Sequence, residues 1–332
     1  MNDQLAALRD EFPGFRIWRE TIGDRMRYIA RGAGLGISPH TVVTDELGEL
    51  RAALSGDAAQ QAAAKPFETQ APNIARVYNY WLGGKDHHAA DREAADSVLA
   101  DFPEVTLVAR ANRDFVARAV RHVAGQGIVQ FIDVGAGLPA APAVHEAAQQ
   151  IALDARVAYV DNDPLVLAHA RALLAGGPGV TVVNGDMRAP EAILGSRGLR
   201  GLIDLDQPVC VLLASVLHFL PADQADATVA ALRNRMSPGS YLIISAGTST
   251  GTDPRLIRCL QSAYAHTAPV TGRTADEIAA WFEGFSLARP GLVDVWTWRP
   301  SGPQRVPRPE MTRARFLAGV GRKVLVGPGW LP

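Results

Sequence analysis

Two glycines beside an acid form the first group of residues whose spacing could do chemistry. An apolar run ends at Asp133, and Gly135-Ala136-Gly137 follows. Pro139 then suits the first turn of a helix, where its missing N–H costs nothing. Glycines permit a tight turn and let the backbone approach a ligand closely. The pattern therefore predicts a strand that feeds a nucleotide-binding loop, although an ordinary strand–turn–helix connection has the same spacing.

Polar residues recur where the next two predicted strands end. Asp161-Asn162 follows the second strand, and an ionised Asp161 can accept hydrogen bonds from two ribose hydroxyls. Asp186-Met187 follows the third strand, where an acid can accept from the exocyclic amine of an adenine and Met187 can cover the ring. Because ligands of open α/β sheets bind beyond the carboxyl ends of the strands, these residues are expected to share one site.

The fourth predicted strand ends at Ala214-Ser215, with His218 shortly after it. This is where the reactive end of a bound cofactor would meet a substrate. His218 is the candidate general base, because imidazole titrates near neutral pH. The alternative is that His218 only caps or packs beside Phe219.

A second glycine pair, Gly83-Gly84, follows a helix rich in aromatic residues and precedes Lys85. Two glycines and a charge predict a flexible loop that could close over a ligand. The alternative is a helix C-cap followed by a solvated turn.

The elements that position these residues are predicted from alternating strand and helix patterns. Strands are predicted over 128–134, 156–161, 180–184, 208–214 and 239–245. Helices are predicted near 140–152, 164–175, 189–197, 223–236, 254–266 and 275–283. This order gives an α/β, Rossmann-like fold with a mostly parallel sheet covered on both faces. Residues 291–298 predict a C-terminal antiparallel strand that closes the sheet.

The sequence also predicts how the chain divides into segments. Residues 1–57 form a small α+β module, 58–71 an alanine- and glutamine-rich linker, and 72–332 the main domain. Within the main domain, 72–125 form an N-terminal helical cap, 126–300 the Rossmann-like core, and 301–332 a basic tail. The tail is expected to be a solvated, proline-rich extension, and contact with an anionic substrate is the alternative.

Composition and charge limit the partners, metal sites and cellular location that the sequence predicts. The 332 residues are 48% hydrophobic and 20% charged, as in ordinary globular proteins. A net charge of −1 gives no reason to expect a nucleic-acid or membrane partner. Cys210 and Cys259 predict neither a disulfide framework nor a zinc site, and no other metal site is predicted. Without a signal peptide or an apolar span, the expected location is cytoplasmic.

Several blocks in register resemble the class I S-adenosylmethionine-dependent methyltransferases. More narrowly, they are similar to the actinobacterial S-adenosyl methyltransferase family, formerly a domain of unknown function. The resemblance covers about 72–323. Its blocks include ARVYNYWLGGKD at 75–86, ARANR at 109–113, QFIDVGAGLP at 130–139, YVDNDP at 159–164, VLHF at 216–219 and GVGRK at 319–323.

The resemblance implies S-adenosyl-L-methionine as the cofactor and a methyl transfer to a small-molecule acceptor, at oxygen or nitrogen. No Asn-Pro-Pro-Tyr motif of nucleic-acid methyltransferases is present. His218 remains the candidate catalytic residue. The residues expected to bind the cofactor are Gly135, Ala136, Gly137, Asp161, Asn162, Asp186, Met187, Ala214, Ser215, Tyr80, Gly83, Gly84, Lys85 and Arg113.

Four positions depart from the family pattern: Asn79 for the usual Asp, Ala140 and Ala143 for Thr and Asn, and Ala246 for a frequent His. These losses of polar groups keep open a catalytically weak or inactive module that binds the cofactor for regulation or interaction. Gly135-x-Gly137-x-x-Ala140 also fits the dinucleotide fingerprint, so an NAD(P)-dependent oxidoreductase is the other alternative. The methyl acceptor and the oligomeric state stay open.

Overall fold

Two compact units divide the chain, Met1–Pro66 and Phe67–Pro332. The computed structural model describes residues 2–22, 25–32, 41–44, 47–48, 50–51, 54, 71–174, 179–265, 267–300 and 313–324. Most of the predicted linker, 58–71, lies outside these residues, as do 301–312 and 325–332 of the predicted tail.

The first unit packs helical residues against a three-stranded antiparallel sheet. Helix α1 (Asn2–Glu11) precedes strands β1 (Phe15–Ile22), β2 (Arg25–Gly32) and β3 (Thr41–Thr44), paired in that order. Side chains alternate along β1, where Ile17 is buried and Arg16 is exposed. This is the half-buried strand that alternating apolar and basic residues predict.

The second unit begins with three helices: α2 (Ile74–Trp81), α3 (Ala89–Leu99) and α4 (Val105–Ala124). Asn73 caps α2, because its side chain accepts hydrogen bonds from the N–H groups of Ala75 and Arg76. A buried ion pair of 2.8 Å between Arg76 and Asp91 joins α2 to α3. These helices form the predicted cap.

A central sheet follows the cap. Its parallel strands are β4 (Gln130–Val134), β5 (Arg156–Asp161), β6 (Val180–Asn184), β7 (Cys210–Ala214) and β8 (Tyr241–Gly247). The helices between them are α5 (Val144–Gln149), α6 (Pro164–Leu173), α7 (Pro190–Gly195), α8 (Arg197–Arg200) and α9 (Ala222–Arg235), with a 3₁₀ turn at Leu217–Phe219. All five parallel strands were predicted, and the Rossmann-like arrangement is confirmed.

The remaining elements complete one edge of the sheet. They are α10 (Pro254–Ala263), α11 (Ala275–Ala280), β9 (Phe285–Leu287), β10 (Val293–Asp294) and β11 (Phe316–Lys323). The strand order is β10-β11-β8-β7-β4-β5-β6, with β9 also paired to β11. Strands β9, β10 and β11 are antiparallel to their neighbours.

The closing strand is not where the sequence places it. Of residues 291–298 only Val293–Asp294 pairs, whereas Phe316–Lys323, predicted as solvated tail, is buried beside β8. Glycine has low strand propensity, so Gly319 and Gly321 make this segment difficult to recognise as a strand from the sequence. They are needed for packing, because a Cβ on Gly319 or Gly321 would lie 2.9 Å from the ring of Phe282.

The core has two layers, one on each face of the sheet. Alternate residues of β4 point to opposite sides: Phe131 packs with the cap helices, and Ile132 packs with the helices of the other face. Such strands are apolar throughout, because both faces are covered. No helix within the described ranges combines the length and hydropathy that a membrane span requires.

Candidate functional site

A cavity of about 280 Å³ lies at the carboxyl ends of the parallel strands. One part, the glycine-loop half, is lined by Arg113, Asp133, Gly135, Ala136, Gly137, Leu138, Ala140, Asp161, Asn162, Asp163, Met187, Ala214, Ser215 and Val216. The other part, the apolar half, is lined by His218, Phe219, Thr248, Ser249, Thr252, Leu256, Ile257, Leu260, Tyr264, Val270, Thr271, Arg315 and Phe316. Cap residues, including Tyr78, Asn79, Trp81, Val105 and Asn112, contribute the rest of the wall.

The glycine loop has the backbone conformation that its sequence predicts. Gly135 and Gly137 have φ angles of 72° and 66°, which L side chains rarely adopt. The N–H groups of Gly135 and Ala136 donate to the carbonyl of Val160, at 2.8 and 3.1 Å. These bonds fix the loop against β5, beside the cavity.

Asp161 connects the glycine loop to the end of β5. One carboxylate oxygen accepts from Gly137 N–H at 2.9 Å, and the other accepts from Asp163 N–H at 2.9 Å. Burial raises the pKa of Asp161 despite these bonds. A carboxylate has about four acceptor positions, so it can still accept from ligand hydroxyls. Asp163 itself caps α6 through Leu165 N–H, as its position before Pro164 predicts.

An acid, Asp133, and a cation, Arg113, both line the glycine-loop half. Burial raises the pKa of Asp133 to about 6, although the nearby Arg113 guanidinium opposes the shift. Arg113 donates to the carbonyls of Ala140 at 2.8 Å and Pro142 at 3.2 Å. Asp133 lines the cavity but is absent from the residues predicted to bind the cofactor. Its position at the end of the strand before the glycines is the sequence signal that could have placed it there.

Asp186 does not line the cavity, but its neighbour Met187 does. The Asp186 carboxylate accepts from Arg188 Nε at 2.9 and 3.0 Å and from Asn162 Nδ2 at 3.1 Å. The hydrogen bond from Arg188 is the main reason that the pKa of Asp186 falls to about 2. In this structure the acid predicted to accept from an adenine amine is therefore paired with Arg188 instead of facing the cavity.

The second glycine pair lies outside the cavity wall, as do Tyr80 and Lys85. Gly83 has a φ angle of 83° and donates to Tyr80 O at 2.9 Å, while Gly84 donates to Asn79 O at 2.8 Å. These bonds end α2 as a glycine C-cap does. The Tyr80 hydroxyl donates to Asp96 at 2.9 Å. The structure thus favours the C-cap alternative, and α2 itself, through Tyr78 and its neighbours, forms the wall.

The end of β7 is strained at the cavity. Ala214 and Ser215 both line it, and Ser215 has a φ angle of 62°, uncommon for a residue other than glycine. The Ser215 N–H donates to Ser245 O at 2.9 Å, which holds this conformation against β8. Such outliers persist where the surrounding structure enforces them, often at functional sites.

His218 lies within a row of aromatic rings in the apolar half, between Phe316 and Phe219. Its ring centroid lies 4.4 Å from that of Phe219 and 5.7 Å from that of Phe316, and Phe219 lies 5.3 Å from Tyr264. Burial lowers the pKa of His218 to about 4. The imidazole is therefore neutral at physiological pH and packs beside Phe219, as the alternative predicts, while its role as a general base stays a prediction.

A buried polar chain crosses the cap and was not predicted. Ser245 Oγ donates to Asn112 Oδ1 at 2.6 Å, Asn112 Nδ2 donates to Tyr78 OH at 3.0 Å, and Tyr78 OH donates to Ala109 O at 2.9 Å. It ties α2 and α4 to β8. A polar Asn112 on the apolar face of a predicted helix is the sequence signal that could have indicated it.

The departures from the family pattern lie in different places. Ala140 and Asn79 line the cavity, but Ala143 and Ala246 do not. Ala246 is fully buried in the core layer on the face of the sheet opposite the cap. Two of the three alanine departures therefore take no polar side chain away from the cavity wall.

The cavity also collects polar atoms without partners. Within the described ranges, five buried side-chain nitrogens lack a hydrogen bond, and three of them belong to cavity-lining residues: Trp81 Nε1, Arg113 Nε and His218 Nδ1. Unpaired buried polar groups are costly, so they are uncommon away from ligand sites. Asp133, Asp161 and Arg113 beside the glycine loop also match the ammonium group, the ribose hydroxyls and the carboxylate of S-adenosylmethionine in charge and hydrogen-bonding capacity. The residues present fit that cofactor.

Solved structures support the same assignment. A candidate methyltransferase from Thermobifida fusca YX is 40% identical, with a TM-score of 0.73, over 78% of this chain and 97% of its own. A DUF574 family protein from Streptomyces avermitilis MA-4680 is 37% identical, with a TM-score of 0.73, over 78% of this chain and 100% of its own. Comparison with curated protein sequences found no match.

The family model described as S-adenosyl methyltransferase matches residues 60–324. It favours S-adenosylmethionine over NAD(P) as the cofactor, and the match spans the cap, the parallel sheet and β11. The chain belongs to the S-adenosyl methyltransferase family, whose members depend on S-adenosylmethionine.

Proposed function

We propose that this protein transfers a methyl group from S-adenosylmethionine to an oxygen or nitrogen atom of a small molecule. The observation that carries the proposal is the single cavity that joins the charged glycine-loop half to the apolar half. One half suits a charged nucleoside, and the other has room and apolar surface for an organic acceptor. No second entrance or docking surface is needed for the two ligands to meet.

The glycine-loop half would hold the cofactor with groups of complementary charge. Asp161 would accept from the ribose hydroxyls, Asp133 would face the ammonium group, and Arg113 would face the carboxylate. Met187 would pack on the adenine. When bound, the cofactor supplies an electrophilic methyl group on a sulfonium, so the protein's main task is to orient an in-line transfer.

His218 would position the acceptor and take its proton. A neutral imidazole has a free lone pair, so a ring nitrogen can accept a hydrogen bond from the acceptor's O–H or N–H group. With a pKa of about 4, it is a weak base, so its contribution lies at or below the low end of general-base effects. The acceptor atom would gain the methyl group in place of its proton, His218 would take that proton, and the demethylated cofactor would be the leaving group.

Calorimetry with three ligands tests the first part of the proposal. S-adenosylmethionine and S-adenosylhomocysteine are expected to bind in the micromolar range, and NAD is expected not to bind. Binding of NAD alone would contradict the proposal and favour the oxidoreductase alternative.

Turnover on a panel of small hydroxyl and amine acceptors tests the second part, with product methylation followed by mass spectrometry. Methylated product is expected. Tight cofactor binding with no turnover on any acceptor would instead favour a regulatory, non-catalytic module, which the alanine at position 140 of the cavity wall would explain.

A further inference from the structure

Charge is distributed unevenly along the cavity. Within the described residues, the charged side chains of its wall are Arg113, Asp133, Asp161, Asp163 and Arg315. Four of the five belong to the glycine-loop half. A ligand that occupies the apolar half therefore meets the charge of Arg315 alone.

The charge of Arg315 is neutralised within the protein. Its Nη2 lies 2.8 Å from Asp294 Oδ2, and its Nε lies 3.2 Å from Asp294 Oδ1. Such a two-pronged pair is the strong arrangement for arginine and a carboxylate. Asp294 lies on β10 and does not line the cavity, so the counter-charge of Arg315 comes from outside the cavity wall.

The other polar groups of the apolar half carry no charge. His218 is neutral because burial lowers its pKa to about 4, and the rest are threonine, serine and tyrosine hydroxyls. The Thr248 hydroxyl already donates to the carbonyl of Arg273, and the Thr252 hydroxyl donates to the carbonyl of Thr248. An ionised ligand would lose its hydration here without gaining a counter-ion, which is costly.

The apolar wall is aromatic along one side. Phe316, His218, Phe219 and Tyr264 make consecutive ring contacts, with centroids 4.4–5.7 Å apart. Leu256 and Leu260 of α10 face the same space. A continuous row of ring edges and faces suits a planar ring system better than a flexible chain.

We propose that the methyl acceptor is a neutral, aromatic molecule, and that the Arg315–Asp294 pair excludes anionic acceptors by withholding the guanidinium. This inference rests on the proposed function and adds the class of acceptor. The row of rings orients the acceptor, and the absence of unpaired charge in the described part of the apolar wall selects against carboxylates and ammonium groups.

Three ligands of matched size test the proposal: 2-naphthol, 2-naphthoate and 2-naphthylmethylammonium, titrated at pH 7 into protein saturated with S-adenosylhomocysteine. 2-Naphthol is expected to bind at least tenfold more tightly than either charged probe. Equal affinities, preference for a charged probe, or no binding of 2-naphthol would overturn the proposal. Binding of S-adenosylhomocysteine itself is measured first, so failure of the cofactor site is seen separately.

Two variants sharpen the test. Asp294→Asn keeps the shape of the side chain and frees the guanidinium, so 2-naphthoate is expected to gain about tenfold in affinity. Phe219→Ala is expected to cost 2-naphthol about tenfold and to leave S-adenosylhomocysteine unchanged. If 2-naphthoate binds Asp294→Asn no better than the parent protein, the ion pair does not control charge selection, and that part of the inference is wrong.

Discussion

The glycine-loop half and the apolar half of the cavity are built by different means. The first uses backbone conformation and short segments at the ends of neighbouring strands, as in the turn from Gly135 to Gly137 and the Asp161 carboxylate. The second uses side chains from segments far apart in the chain, such as Phe219, Tyr264 and Phe316.

This difference separates two requirements of a transferase. A common cofactor needs the same backbone turn and the same strand-end acids, and these can be recognised as a short motif. An acceptor needs a shape and a polarity, which many side-chain combinations can supply. The cofactor can therefore be inferred from the fold, whereas the acceptor has to be inferred from the side chains that line the apolar half.

The largest expected effect comes from breaking the backbone turn. Gly135→Ala places a side chain at a φ angle of 72°, with its Cβ 2.6 Å from a methyl carbon of Val216. The conformation costs about 1–2 kcal/mol and the overpacking about 1–3 kcal/mol, so the free energy of unfolding should fall by about 2–5 kcal/mol in urea denaturation.

Gly83→Ala is the matched control for that change. Gly83 has a similar φ angle of 83°, but a Cβ there meets nothing within 4 Å. Only the conformational cost of about 1–2 kcal/mol is expected. If both variants lose the same stability, the contact with Val216 contributes nothing.

The next prediction compares cofactor affinity after loss of Asp161, which lines the cavity, and after loss of Asp186, which does not. Asp161→Ala should weaken S-adenosylhomocysteine binding by about 1–3 kcal/mol, because the ligand hydroxyls lose their acceptor. Asp186→Ala, in which the lost carboxylate faces Arg188, should change the affinity by less than about threefold. Calorimetry on both variants measures the contrast, and a larger loss for Asp186→Ala would reverse our assignment.

A change in the apolar half should act on turnover instead. His218→Phe keeps a ring between Phe219 and Phe316 but removes both nitrogens, so kcat should fall about 10-fold, up to 100-fold. The affinity for S-adenosylhomocysteine should not change. Because the pKa of His218 is about 4, its contribution to kcat should be constant above about pH 5. Unchanged kcat would remove His218 from proton transfer.

The smallest effect concerns the pH dependence of cofactor binding. Burial raises the pKa of Asp133 to about 6, the charge of Arg113 opposes this shift, and the charge of Asp161 adds to it. Asp133 is ionised above this pH and protonated below it, so the affinity for S-adenosylhomocysteine should fall about three- to tenfold from pH 7 to pH 5.

Asp133→Asn should bind weakly and independently of pH over the same range, while Asp161→Asn should retain the dependence. Calorimetry at several pH values compares the three proteins. A parent protein whose affinity is flat between pH 5 and pH 7 would contradict the assignment of Asp133 to the ammonium group.

The sequence predicts much of the glycine-loop half but leaves two alternatives open at the second glycine pair. All five parallel strands and the positive φ angles of the glycine turn follow from local patterns, because a buried parallel strand is apolar throughout and a Gly-x-Gly turn needs little context. Local patterns do not decide the structure at Gly83-Gly84. Glycine marks a helix C-cap as readily as a lid, and only the bonds to Asn79 and Tyr80 distinguish the two.

The edge of the sheet shows a second limit. Phe316–Lys323 pairs with β8 although its composition indicates a solvated tail. Its glycines are explained by their contact with the ring of Phe282, which leaves no room for a Cβ atom. Phe282 lies more than thirty residues earlier in the sequence. Position 246 shows that a sequence pattern can also suggest a site residue where there is none. Ala246 packs in the core on the other face of the sheet, so its departure from the family pattern affects the core and not the cavity.

By itself, then, the sequence determined the family, the parallel sheet and the residues at the strand ends, because those depend on short-range backbone preferences. Only the tertiary structure decided which of these residues share a cavity, how Asp186 and Arg315 are neutralised, and what lines the apolar half. Charge pairing and burial are set by side chains that meet across the fold, and their spacing along the chain does not encode those meetings.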